Sequence, residues 1–246
     1  FQRRSHSSIS SEFALAIIAA AKRAKVERLG LTPIVGEPLV HRGLEDFIRV
    51  AVAPPDPLRV GLTTNGILLS AQRYNSLVSA GLSDLNISMT YPDEDEYLRI
   101  YRSGQFPKLV SNLESILDQP VSDECQVSIG VRTPRKNWSN HPLFRRARAR
   151  GWRVSKNHFF DDWSGRTLQL MDEQGLRTRP NRSKWLPCAM TFSGPHFLSD
   201  GRATACGCRD LDGTSELALD SNELLDDLSR VYDTGSVSVI RERFRQ

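Results

Sequence analysis

Apolar positions along this chain alternate between two periods, one of three to four residues and one of short unbroken runs. Phe13, Ile17, Ile18 and Ala21 share one helical face behind Ser10 or Ser11, either of which can cap the helix, with Glu12 in its first turn. Leu29 to Val35 then reads as a buried strand, with Pro33 as its weak point. Leu44, Phe47, Ile48 and Ala51 return to helical spacing, and Pro54-Pro55-Asp56-Pro57 stops that helix. A strand over Arg59 to Thr63 follows, then a helix from about Ser70 that turns Tyr74, Leu77 and Val78 inward and ends at Gly81. The strand Asp84 to Met89 leads into an acidic segment, Asp93 to Glu96. The spacing of Leu109, Leu113, Ile116 and Leu117 predicts a helix over Lys108 to Leu117. Strand Gln126 to Arg132, a helix from about Pro142 to Arg150, and strand Trp152 to Lys156 complete the regular pattern. Such alternation argues a parallel sheet with helices outside it.

Composition adds little to that picture. The 246 residues, 39% hydrophobic and 25% charged, suit one sizeable core with room for a small appended module. The longest apolar stretch, Phe13 to Ala21, is too short to span a bilayer and ends at Lys22 and Arg23. With no evident secretory signal, the expectation is a soluble cytoplasmic protein without membrane contact. The formal charge is +4, and Arg145, Arg146, Arg148 and Arg150 crowd one helix. Basic runs alone specify no partner, so this cluster reads as a solvated face, and no nucleic-acid-binding module accompanies it.

The candidate chemistry lies just past the strands. In a parallel barrel, residues beyond the carboxyl ends of strands converge on one face, where ligands bind. Gly36-Glu37-Pro38 follows the first strand: glycine permits close backbone approach, proline stiffens the exit, and the carboxylate suits an ammonium group. Asn65-Gly66 follows the second strand and is also a common turn former, so a structural reading stands beside the ligand reading. Ser88 and Arg132 occupy the ends of the next two. Arg132 suits a carboxylate or, equally, a surface ion pair. The loop Asn157 to Gly165 carries three aromatic residues and can lid this face or touch ligand. His41 and His158 read as surface or internally satisfied polar groups.

Of four cysteines, Cys125 begins a strand and reads as a small buried residue. Cys188, Cys206 and Cys208 fall together around Thr191 to Leu198 and Arg202 to Ala205, which read as a hairpin turning at Ser199-Asp200-Gly201. A hairpin brings its ends together. Soft thiolates there favour an iron–sulfur cluster or zinc, and neighbours as close as Cys206 and Cys208 bridge poorly as a disulfide.

In order, Gly36-Glu37-Pro38, Thr64-Asn65-Gly66 and Asn86-Ile87-Ser88-Met89 resemble the radical SAM enzymes, with Val35 where that family more often has a glycine. The cysteine–hairpin–cysteine segment resembles the opening of SPASM and twitch domains. The resemblance implies a partial (β/α)6 barrel lacking its first strand and cluster loop over 1–165, a connector over 166–184, and an incomplete auxiliary-cluster domain over 185–246. It implies that Gly36, Glu37, Pro38, Asn65, Ser88 and Arg132 contact S-adenosylmethionine (SAM), with Ser88 at the ribose or methionine carboxylate. It implies that Cys188, Cys206 and Cys208 hold an auxiliary four-iron, four-sulfur cluster. The family's SAM-binding cluster is held by cysteines spaced C-x3-C-x2-C, and no such triad occurs here. The expectation is that both ends are cut short and that this fragment by itself is inactive. The implied activity is reductive cleavage of SAM to a 5′-deoxyadenosyl radical, which takes hydrogen from a peptide or small-molecule substrate. A one-electron donor such as flavodoxin or ferredoxin is the implied partner. A catalytically silent relative that binds ligand on the same scaffold, or an unrelated α/β domain with a zinc-bound carboxyl module, are the alternatives.

Overall fold

The computed structural model describes residues 8–33, 36–120, 123–157, 168–176, 194–205, 217 and 221–232. Five strands, β1 (Arg28–Gly30), β2 (Arg59–Thr64), β3 (Asp84–Thr90), β4 (Gln126–Arg132) and β5 (Arg153–Lys156), form one all-parallel sheet in sequential order. The crossovers run through α1 (Ser11–Arg23), which precedes β1, then α2 (Leu44–Val52), α3 (Ala71–Ser79), α4 (Glu94–Tyr101), α5 (Phe106–Leu117) and α6 (Pro142–Ala149). Ser10 caps α1 by accepting from the Phe13 N–H, and Ser70 caps α3 in the same way. Gly81 sits at φ +103, the left-handed conformation that ends α3 without steric cost.

Within the barrel, two elements depart from the sequence pattern. β1 ends at Gly30, well short of Val35. The Leu31 N–H still reaches Gly61 O, but the Thr32 hydroxyl then takes the Thr63 N–H and Pro33 has no N–H to give. The acidic segment after β3 opens a helix: Asp93 accepts the Glu96 N–H, and Glu94, Asp95 and Glu96 occupy the first turn of α4, where the helix dipole favours anions.

The sheet has two unlike faces. Val60, Leu62, Leu85, Ile87, Met89, Val127, Ile129 and Val131 point to the helices and join Phe47, Ile48, Leu77, Leu109, Leu113 and Phe144 in one continuous core. The alternate residues of the same strands are Arg59, Gly61 and Thr63, then Asp84, Asn86 and Ser88, then Gln126, Ser128 and Gly130. Parallel sheets are normally apolar on both faces. This one is apolar on one.

The segment read as a plain connector carries a short helix, α7 (Leu168–Glu173). It is tied to α4 by Arg99 donating to Gln174 O and the Gln174 amide donating to Arg99 O. Further on, β6 (His196–Phe197) and β7 (Ala203–Thr204) pair antiparallel across the Ser199–Asp200 turn, a shorter hairpin than the sequence predicts but the same one. With α8 (Ser221–Asp226) and the 3-10 turn Leu228–Tyr232 it makes a small core of Ala203, Ala205, Leu217, Leu224 and Val231. This unit docks on α1, where Phe197 meets Phe13 edge to face at 5.9 Å and Arg23 donates to Leu225 O. Among the described residues, no helix is long and apolar enough to cross a membrane.

Candidate functional site

The carboxyl ends of β1 and β2 are joined by one side chain. Glu37 Oε1 accepts from the Thr64 hydroxyl at 2.6 Å and from the Leu39 N–H at 3.1 Å, while Oε2 accepts from the Asn65 N–H at 2.8 Å. Glu37 thereby caps the 3-10 turn Pro38–Val40, with Pro38 at its first position, and clamps that turn to the loop after β2. Hydrogen bonds to a carboxylate are worth roughly 1.5–3 kcal/mol each, so three of them hold this junction firmly.

The network continues inward. Thr64, itself buried, accepts the Gly66 N–H, and Asn65 Oδ1 accepts the Ile67 N–H in an Asx turn. The buried Asn112 of α5 donates from one amide to Gly66 O and Ile67 O. Gly66 stands at φ +76, and a Cβ there would lie 2.6 Å from Leu109 Cδ1. The structural reading of Asn65-Gly66 is therefore realised. Asn112 is the residue of this network that the sequence reading did not single out, although an asparagine within the Leu109–Leu113–Ile116 stripe is a visible anomaly.

Ser88 lies at the end of β3 with its hydroxyl 3.3 Å from the Tyr101 hydroxyl. Arg132 ends β4, exposed and in register with Thr90. Gly36 is exposed at φ +128, and among the described residues a Cβ there would meet only Pro33 within 4 Å. The structure thus gathers Gly36, Glu37, Pro38 and Asn65 in one junction and sets Ser88 and Arg132 on the following strand ends. Cys188, Cys206 and Cys208, and His158 to Gly165, lie outside the described residues.

A second constellation at this end was read from sequence only as an acidic segment. Arg135, in the loop after β4, donates to the buried Glu96 at 2.7 Å and to Asp93 at 2.9 Å, with its guanidinium 4.5 Å from the centre of the Tyr91 ring. Lys156 donates to Arg135 O. These contacts tie the loop after β3 to the loop after β4 and leave Glu96 Oε1 without a partner among the described residues.

Other candidates resolve into structure. His41 Nδ1 accepts the Gly43 N–H and its Nε2 lies 3.1 Å from Ile9 O, a satisfied polar group as expected. The arginines of α6 keep the solvated face expected of them: Arg145, Arg146 and Arg148 are exposed, with Arg146 beside Asp118 and Arg148 over Trp138, and Arg150, just past the helix, donates to Gln119 O. Cys125 is buried, and desolvation followed by the nearby Asp84 charge pushes its thiol up to about 12.

No family model matches the chain. Over 85 residues it is 36% identical to the GTP 3',8-cyclase of Chlorobaculum tepidum, a segment that covers 35% of this chain and 26% of that enzyme. Over 132 residues it is 31% identical to the GTP 3',8-cyclase of Petrotoga mobilis, covering 52% of this chain and 40% of that enzyme. The matched segments thus span well under half the length of these curated relatives. Among solved structures it resembles BtrN in complex with AdoMet and 2-DOIA, with a TM-score of 0.60 and 11% identity over 99% of this chain and 76% of that one. It also resembles anSMEcpe with bound AdoMet, with a TM-score of 0.61 and 12% identity over 96% and 72%. Kinship with the radical SAM enzymes is supported. At these identities the structural likeness speaks to the fold alone, and the five-stranded parallel sheet is what carries it here. Among the described residues, no group of three or more His, Cys, Asp or Glu side chains is placed to hold a metal.

Proposed function

We propose that this chain forms the SAM-binding barrel of a radical SAM enzyme and carries a second module for an auxiliary iron–sulfur cluster. The observation that supports the reading is the junction at the ends of β1 and β2, where the Glu37 carboxylate fixes both loops. A carboxylate has about four lone-pair sites, and protein donors use three of them here, which leaves one acceptor for an ammonium group. Gly36 keeps the adjacent backbone open to the ligand, and Pro38 stiffens its exit. Asn65 shapes the facing loop, while Ser88 and Arg132 offer a hydroxyl and a guanidinium to the ribose and the methionine carboxylate. Glu37 acts chiefly as a positioning residue in this scheme, because most of its acceptor capacity is already spent on the loops it orders.

Bound beside a four-iron, four-sulfur cluster, SAM supplies a 5′-deoxyadenosyl radical able to take hydrogen from an unactivated carbon of a peptide or small molecule. The cysteine triad that would hold that cluster is not among these 246 residues, so none of their side chains is assigned to the electron-transfer step. The one-electron donor belongs to the same reading. The matches to enzymes weigh against an unrelated α/β domain. For the second module, Cys188, Cys206 and Cys208 remain the proposed ligands, and the β6–β7 hairpin between the first two in sequence is consistent with bringing them together.

Isothermal titration with SAM tests the barrel. Saturable binding is expected, weakened about tenfold in Glu37→Gln, whose amide turns one acceptor into a donor facing N–H groups. Equal affinity in both proteins removes the assignment. Iron with acid-labile sulfide in the purified chain, reduced in Cys206→Ser, is the result expected for the module, and zinc alone contradicts it.

A further inference from the structure

A cavity of about 320 Å³ opens at the amino ends of β4 and β5, the opposite end of the sheet from the Glu37 junction. Cys125 and Trp152 stand immediately before the two strands and line it, together with Tyr74 of α3 and Ile116 of α5. Tyr74 and Trp152, each less than a tenth exposed, supply aromatic surface, while Ile116 and Val127 supply aliphatic surface. Arg150, between α6 and Trp152, brings a charge to this lining. Its Nη2 donates to Gln119 O, and neither Nη1 nor the enclosed Nε has an acceptor among the described residues. Asp123 is exposed at the same cavity and is not ion-paired to Arg150. The Tyr74 hydroxyl likewise makes no hydrogen bond to a described residue.

Desolvation pushes the Tyr74 hydroxyl up from its ordinary value, with the Cys125 thiol adding to that shift and the Arg150 guanidinium opposing it. All three groups therefore lie close together. Burial also pushes the Cys125 thiol up to about 12, so it stays protonated and adds no charge. What remains is a hydroxyl beside a cation, each short of a partner, in a setting where unmet polar groups are costly. That pair matches the two oxygens of a carboxylate, which accepts strongly from both kinds of donor. The rings of Tyr74 and Trp152 favour a flat aromatic body against them. At this volume the cavity sits at the small end of ligand-binding pockets, which suits a single ring.

We propose that this cavity binds a small aromatic carboxylic acid, its ring against Tyr74 and Trp152 and its carboxylate between the Arg150 guanidinium and the Tyr74 hydroxyl. The site goes beyond the SAM reading and does not depend on it, because its residues gather at the amino ends of the strands and the Glu37 junction joins carboxyl ends.

Calorimetric titration of the full chain in the absence of SAM is the test, with benzoate, benzyl alcohol and acetate as probes. Benzoate is expected to bind saturably and more tightly than benzyl alcohol, which lacks the charge, or acetate, which lacks the ring. Arg150→Gln is expected to weaken benzoate binding about tenfold, and Tyr74→Phe about threefold. Arg49→Gln, on the surface of α2, is expected to leave it unchanged. Arg150 also holds Gln119 O, so its variant is checked by its melting curve. Tyr74→Phe deletes one oxygen and keeps the ring, so it reads the site even where Arg150→Gln lowers the melting temperature. Absence of saturable benzoate binding overturns the proposal, as does parental affinity in either cavity variant. Benzyl alcohol or acetate binding as tightly as benzoate overturns it equally.

Discussion

The two faces of the five-stranded sheet are built from the same strands and obey different rules. On the helix side, Ile87, Ile129 and Val131 are fully buried, and the free energy there is dispersion and loss of apolar surface from water. On the inner side, Asn86 and Ser128 are half-buried and Arg153 is exposed, and the contacts there are polar: Asn86 donates to Thr63, and Ser128 to Asn86 Oδ1 and Leu85 O. The contrast separates stability from function. One face holds the barrel together, while the other is free to be chemical. The Glu37 junction lies between these extremes, polar like the inner face yet hydrogen-bonded as fully as a core.

The largest expected effect is on the apolar face. Ile87→Ala removes a fully buried side chain from the middle of β3 and should cost about 3–4 kcal/mol in urea unfolding, with the slope unchanged. Gly66→Ala comes next: its new Cβ meets Leu109 at 2.6 Å in a backbone conformation that suits glycine, for a loss of about 2 kcal/mol. Asn112→Ala should cost about 1–2 kcal/mol, because Gly66 O and Ile67 O lose their shared donor in a region with little access to water. Ser128→Ala should shift stability by no more than about 0.5 kcal/mol. A loss at Ser128 as large as that at Ile87 would break the distinction between the two faces, since it would mean the inner face is packed and dry.

Much of this architecture is legible in the sequence because helices and strands here carry clean periods. The limits of β4 are those the apolar alternation predicts, and Ser10, Ser70 and Gly81 mark helix ends by local chemistry alone. What the pattern hid was long-range or locally ambiguous. The start of α4 reads as a charged loop because Asp93 to Glu96 has no apolar residue, yet a capping aspartate followed by three acidic residues is a helix start. The premature end of β1 depends on Pro33 and on the Thr32 hydroxyl reaching Thr63, a partner 31 residues away. Glu37 was recognisable as a candidate from its glycine and proline. Its actual donors, Thr64 and the Asn65 N–H, become neighbours only once β1 and β2 pair. The arginines of α6 were legible as well, since Arg145, Arg146 and Arg148 form the exposed face that a basic run suggests, and their contacts with Asp118 and Trp138 lie on that surface.

Amide hydrogen exchange read by mass spectrometry, with and without millimolar SAM, tests the central claim most directly. The account predicts slowed exchange in peptides spanning 36–41 and 64–67, with no change across the β6–β7 hairpin. Unaltered exchange at both loops while SAM is present in excess would contradict it.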